Sequence, residues 1–202
     1  MPTAMPPLTG PTLEIRAWDD EIVDRLGHDP RSAYVERFWL GVLGPSTVWL
    51  LRRIATGLDA RPDGFTLPLG DTARALGLGG DGVSSPFARA LRRCCQFDMA
   101  RADGPGTLAV RRHLPPLARR HLLRLPESVQ AEHADWEADT RRTTRTADLD
   151  RARQLAASLL ELGEDPHATE HQLLRWRFDP TIARDATTWA ADPGHDGPLT
   201  AA

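Results

Sequence analysis

Apolar residues recur at three- and four-residue spacing between Ser32 and Leu43, where Tyr34, Val35, Phe38, Trp39, Val42 and Leu43 form one stripe. That period predicts a buried helix. Gly44 stops it, and Pro45 suits the first turn of a second helix carrying Val48, Leu50, Leu51, Ile54 and Leu58. Upstream, Leu13 to Arg16 reads as a short strand, followed by a helical face of Ile22, Val23 and Leu26 that ends at Gly27. Downstream, Asp63-Gly64 signals a turn, and Phe65 to Leu69 is a short extended run whose Pro68 predicts an edge strand.

The pattern then returns to helix. Asp71 is placed to cap a short helix through Ala73, Ala75 and Leu76, closed by Gly77. After a glycine-rich loop, Ser84-Ser85-Pro86 caps a helix with Phe87, Ala90, Leu91, Cys94 and Cys95 inward and Arg89, Arg92 and Arg93 outward. Met99 to Ala102 and Thr107 to Arg112 predict two strands joined by the loop Asp103-Gly104-Pro105-Gly106, with Phe97 facing the core.

Pro115-Pro116 ends that hairpin, and helices follow through Leu117 to Leu123 and from Pro126 past Val129 and Trp136. Glu137 to Thr146 is polar and threonine-rich, which predicts a linker or a solvated helical arm. Beyond it, Leu155, Leu159, Leu160 and Leu162 make a stripe ended by Gly163. Asp165-Pro166 and Asp179-Pro180 start two more helices, with Leu173, Leu174 and Trp176 on one and Ile182, Ala183, Ala186 and Trp189 on the other. The predicted organisation is a tail at 1–12, a main domain at 13–125, a connecting helix or linker at 126–148, a small helical bundle at 149–191 and a second tail at 192–202.

Composition changes this picture in three places. All 25 basic residues are Arg, so an arginine carries meaning only through its position. The net charge of −3 excludes an indiscriminate nucleic-acid coat but permits a local basic face. Such a face is present: Arg89, Arg92, Arg93, Arg101, Arg111, Arg112, Arg119, Arg120 and Arg124 share one stretch with only Asp98 and Asp103 as acids. The absence of a signal sequence or an apolar run of membrane-spanning length predicts a cytoplasmic protein.

The order helix, strand, helix, helix, strand, loop, strand over residues 45 to 112 resembles the winged helix-turn-helix superfamily. The fold class expected is therefore mainly α with a small β-hairpin wing, followed by the C-terminal three-helix bundle. The resemblance implies that Pro86 to Gln96 is a recognition helix for the DNA major groove and that Arg101 to Arg112 is the wing. Arg89 and Arg92 would then read base edges while the wing residues Arg101, Arg111 and Arg112 position the protein, and Arg93 is a further DNA-binding residue. The function expected is sequence-selective duplex DNA binding, in the service of transcription regulation. The alternative is a non-catalytic protein-interaction module using the winged-helix and C-terminal helical surfaces, with residues 149–191 binding a protein partner or a second copy.

Catalysis, cofactors and metals are not expected. His167-Ala168-Thr169-Glu170-His171 matches the His-x-x-Glu-His pattern of the inverted zinc peptidases, but those enzymes also use a downstream Glu and none follows Glu170. The run Gly77 to Gly82 follows a helix, whereas a dinucleotide-binding glycine loop must follow a strand. Ser84 and Ser85 have no His and acid nearby in sequence. Cys94 and Cys95 are adjacent and suit neither a disulfide framework nor a metal knuckle. The last three helices are loosely similar to ubiquitin-associated domains, which again points to a partner-binding role.

Overall fold

The computed structural model describes residues 10–79, 82 and 84–192. The rest of the two expected tails and part of the glycine-rich loop lie outside the described residues. The chain is mainly helical with one small sheet, and it divides into two units, 1–131 and 132–202. No helix among the described residues is long and apolar enough to cross a membrane.

In the first unit, β1 (Thr12–Ala17) and α1 (Glu21–Leu26) precede a π-helical turn, Val35–Trp39, which continues as α2 (Leu40–Leu43). Then come α3 (Pro45–Ala60), β2 (Phe65–Pro68), α4 (Leu69–Ala75), α5 (Pro86–Gln96), β3 (Ala100–Ala102), β4 (Thr107–Val110) and α6 (Arg119–Leu122). Gly44 separates α2 from α3 at φ 76 and ψ 156, a conformation open essentially to glycine alone. This reversal lets α3 lay Val48, Leu51, Ile54, Ala55 and Leu58 into the core.

The sheet has the order β2-β1-β4-β3. β2 is the edge strand that Pro68 predicts, since proline has no N–H for a further ladder. β1 is the unexpected member. It pairs antiparallel with β2 (Leu13 opposite Leu67) and parallel with β4 (Ile15 opposite Leu108), and so stands between them. Alternation explains its fit: Leu13 and Ile15 are buried while Glu14 and Arg16 are exposed. Thr12, assigned above to the tail, belongs to this strand.

Two local expectations are corrected. α4 starts directly after Pro68, so Asp71 lies inside its first turn, where it pairs with Arg74 and caps nothing. Phe97 is half-buried, its ring 5.1 Å from the Arg93 guanidinium, whereas Phe87, Leu91 and Cys94 are buried as expected.

The long helix α7 (Glu127–Glu161) is continuous through the threonine-rich stretch. Of the two readings of Glu137 to Thr146, the helical arm is observed. Ion pairs one turn apart, Arg142 with Asp139 and Arg153 with Asp150, support its solvated surface. In the second unit α7 joins α8 (Pro166–Arg175) and α9 (Pro180–Ala190), capped as expected by the carboxylates of Asp165 and Asp179. The core of this unit is Ala152, Ala156, Leu173, Ile182, Ala183 and Ala186. The leucine stripe is not its buried face: Ala152 and Ala156 are the buried positions of α7, Leu155, Leu159 and Leu160 are partly exposed, and Leu162 is 82% exposed.

Candidate nucleic-acid interface

α5 is built to present a basic face. The Ser85 hydroxyl accepts a hydrogen bond from the Ala88 N–H at 3.1 Å, and Pro86 occupies the first turn. One side then buries Phe87, Ala88, Ala90, Leu91, Cys94 and Cys95, which forces Arg89, Arg92 and Arg93 to the exposed side. α5 itself contains no acid. Arg89 has no hydrogen-bond or ion-pair partner among the described residues. Arg93 is held in place: its Nη2 donates to the Val42 carbonyl at 2.6 Å, and its guanidinium stacks on Phe97.

The hairpin arginines are used differently. Arg111 and Arg112 follow β4 and therefore stand at the base of the hairpin, away from its loop. The Arg111 guanidinium lies 3.7 Å from the centroid of the Trp18 ring, donates from Nη1 to the Asp20 carboxylate at 2.5 Å and donates from Nε to the Asp98 carbonyl at 2.8 Å. Its side chain is only 12% exposed. Hydrogen bonding from Arg111 holds the Asp20 carboxyl below its ordinary pKa. Arg112 donates to the Pro62 carbonyl at 3.1 Å.

Arg101, on β3, is exposed and sits 4.5 Å from the Trp18 ring centroid. The register places Arg16, Ala109 and Arg101 in one row across the sheet, so Arg16 joins the basic surface of the hairpin. The hairpin loop carries no positive charge. Its Asp103 is exposed, and the nearby Glu14, which donates its backbone N–H to the Gly106 carbonyl, adds another carboxylate.

Sequence reasoning missed three residues that organise this surface. Trp18 is the platform between Arg101 and Arg111, and Asp20 is the counter-charge; both lie far from the hairpin in sequence. Thr47, at the start of α3, lines a groove with Pro86, Arg89, Arg92 and Arg93; the Gly44-Pro45 punctuation marked that helix start but not its neighbour.

The rings of His167 and His171 are 4.7 Å apart at the start of α8, yet no group of three or more potential metal ligands occurs among the described residues. Burial pushes the Cys94 and Cys95 thiols up, Cys95 to about 11, which keeps both in the unreactive protonated form.

Neither a protein-family model, nor a curated protein, nor a solved structure matches this chain.

Proposed function

We propose that this chain binds duplex DNA as a winged helix-turn-helix protein, with α5 as the recognition helix and β3–β4 as the wing, and that it acts in transcription regulation. The observation that carries the reading is the exposed face of α5, where three arginines stand without a carboxylate on the helix. A helix of that face fits the major groove, and a guanidinium can bridge guanine O6 and N7. Arg89 is the strongest candidate for base contact because nothing in the described residues competes for its donors. Arg111 and Arg112 are braces that set the hairpin's position, and Arg101 with Arg16 supplies its backbone contacts.

Selection of bound fragments from random duplex DNA, followed by titration of the enriched duplex, tests the proposal. Enrichment of a common site, with Arg89→Ala costing on the order of 1–3 kcal/mol mainly on that site, is the expected result. Retention of no fragment at low salt sinks it.

A second reading applies to residues 132–202 and has its own observation. Trp176 is 46% exposed and borders a cavity of about 500 Å³ with Leu155, Phe178 and Arg151. Exposed aromatic anchors of this kind mark protein-docking surfaces. Sedimentation of the full chain and of Trp176→Ser distinguishes self-association through this surface from its absence.

A further inference from the structure

α3 buries Val48, Leu51, Ile54 and Leu58, so its turns carry Trp49, Arg52 and Arg53 to the outer side. That side is one wall of a groove of about 780 Å³, with β2 and α4 as the others. No described residue of α5 or of the β3–β4 hairpin lines it, so it is separate from the surface assigned to DNA. Trp49 is 55% exposed, and the Arg52 guanidinium lies 4.7 Å from its ring centroid. Half-buried Phe65 and Leu76 add apolar lining. Phe65 is fixed in place: a Cβ at Gly57 would stand 2.4 Å from its ring, so α3 lies directly against it.

The charge of the lining is unbalanced. Arg31 is held by Asp29 and Asp59 at 2.5 and 2.7 Å, whereas Arg52, Arg53 and Arg61 have no carboxylate partner among the described residues. Asp71, the one carboxylate among the described lining residues, pairs with Arg74. The edge of β2 adds a directional feature. The Leu69 N–H donates to the Pro11 carbonyl, and the register continues that ladder through Leu67 opposite Leu13 and Phe65 opposite Ile15. The backbone N–H and C=O of Thr66 therefore point away from β1, on the open side of the sheet.

A strand edge, an exposed indole and three guanidinium groups without carboxylates thus border one groove. An extended peptide offers the N–H and C=O that Thr66 lacks, its carboxylates suit the arginines, and a large apolar side chain covers the indole. A nucleic-acid strand could stack on Trp49 and meet the arginines, but it has no peptide backbone to pair with Thr66. We propose that this groove docks an extended acidic segment of a partner protein, paired with the Thr66 backbone, with one large apolar side chain on Trp49 and carboxylates on Arg52, Arg53 and Arg61.

Selection of random displayed peptides on the full chain supplies the probe, and the enriched peptide is then titrated by fluorescence anisotropy. Trp49→Ser and Arg53→Glu are the variants; both positions are exposed, so both should keep the wild-type unfolding midpoint, and Arg53→Glu carries the test if Trp49→Ser does not. The expected result is enrichment of peptides with a large apolar residue among aspartates and glutamates, saturable movement of the Thr66 amide resonance, and a loss of about tenfold in affinity in each variant. An enriched peptide that leaves the Thr66 amide unmoved, or that both variants bind as tightly as the wild type, overturns the proposal. Failure to enrich acidic peptides does the same. Binding of a single-stranded DNA oligonucleotide that Trp49→Ser abolishes, in place of acidic peptides, also overturns it and assigns the groove to nucleic acid.

Discussion

The exposed side of α5 and the base of the β3–β4 hairpin carry the same residue type for different ends. On α5, a buried apolar side drives the arginines outward, and Arg89 is left with its donors unfilled. At the hairpin base, Arg111 is filled from three directions by Trp18, Asp20 and Asp98. A cluster of positive charge in sequence therefore does not translate into a uniform basic surface. How far an arginine stays open to a ligand depends on how many of its donors the fold already fills, one for Arg93 and two for Arg111, and the acceptors come from residues far away along the chain.

The comparison breaks most severely if α5 loses its anchor. Leu91 is fully buried, and Leu91→Ala is expected to cost about 2–5 kcal/mol through lost burial and the cavity left behind. Chemical denaturation reads this directly, and an effect below 1 kcal/mol would mean that α5 is not packed as described. Next in size is Arg111→Ala. Loss of its stack on Trp18 alone is worth about 1–2 kcal/mol, with a change in indole fluorescence from Trp18. An unchanged unfolding midpoint would return Arg111 to the set of free arginines.

A smaller effect sharpens the role of its partner. Asp20 has a folded-state pKa lowered from the ordinary 3.8, chiefly by its hydrogen bond with Arg111. A lowered carboxylate pKa contributes stability above the unfolded value, and that contribution is lost as pH falls through the folded value. The stability gap between wild type and Asp20→Asn should therefore be constant near neutral pH and close as pH falls below 3.8. Thermal melts across that range test it; a gap that widens on acidification would contradict the pairing. The smallest effect on stability belongs to Arg89→Ala, expected within about 0.5 kcal/mol because the side chain is exposed and unpaired. A large loss of stability there would show that α5 and the hairpin base do not differ as argued.

Local signals in the sequence were sufficient for α5. Ser85-Pro86 marked its start, and the apolar spacing marked its buried side, so the outward placement of Arg89, Arg92 and Arg93 was legible. The same holds for the Asp165 and Asp179 caps and for the hairpin, all settled by contacts within a few residues. Long-range choices were not legible. Nothing local tells β1 to enter the sheet between β2 and β4, and nothing near Arg111 announces Asp20, 91 positions away. The leucine stripe of α7 misled because its periodicity fits a buried face, while the neighbouring Ala152 and Ala156 are the positions that the core takes up. The groove at Thr47 was invisible for a related reason: its two walls meet only when α3 packs on α5.

The central claim, that α5 meets duplex DNA through its arginines while the hairpin-base arginines brace the fold, is tested most directly by the salt dependence of duplex affinity. Arg93 together with Arg16 and Arg101 of the hairpin surface predicts about three phosphate contacts, so log K for the wild-type chain should fall against log salt with a slope of roughly −3. Arg93→Ala should flatten that slope by about one, whereas Arg112→Ala should leave it unchanged. Duplex affinity that is absent at about 50 mM salt, or a slope that Arg112→Ala flattens and Arg93→Ala does not, would contradict the account.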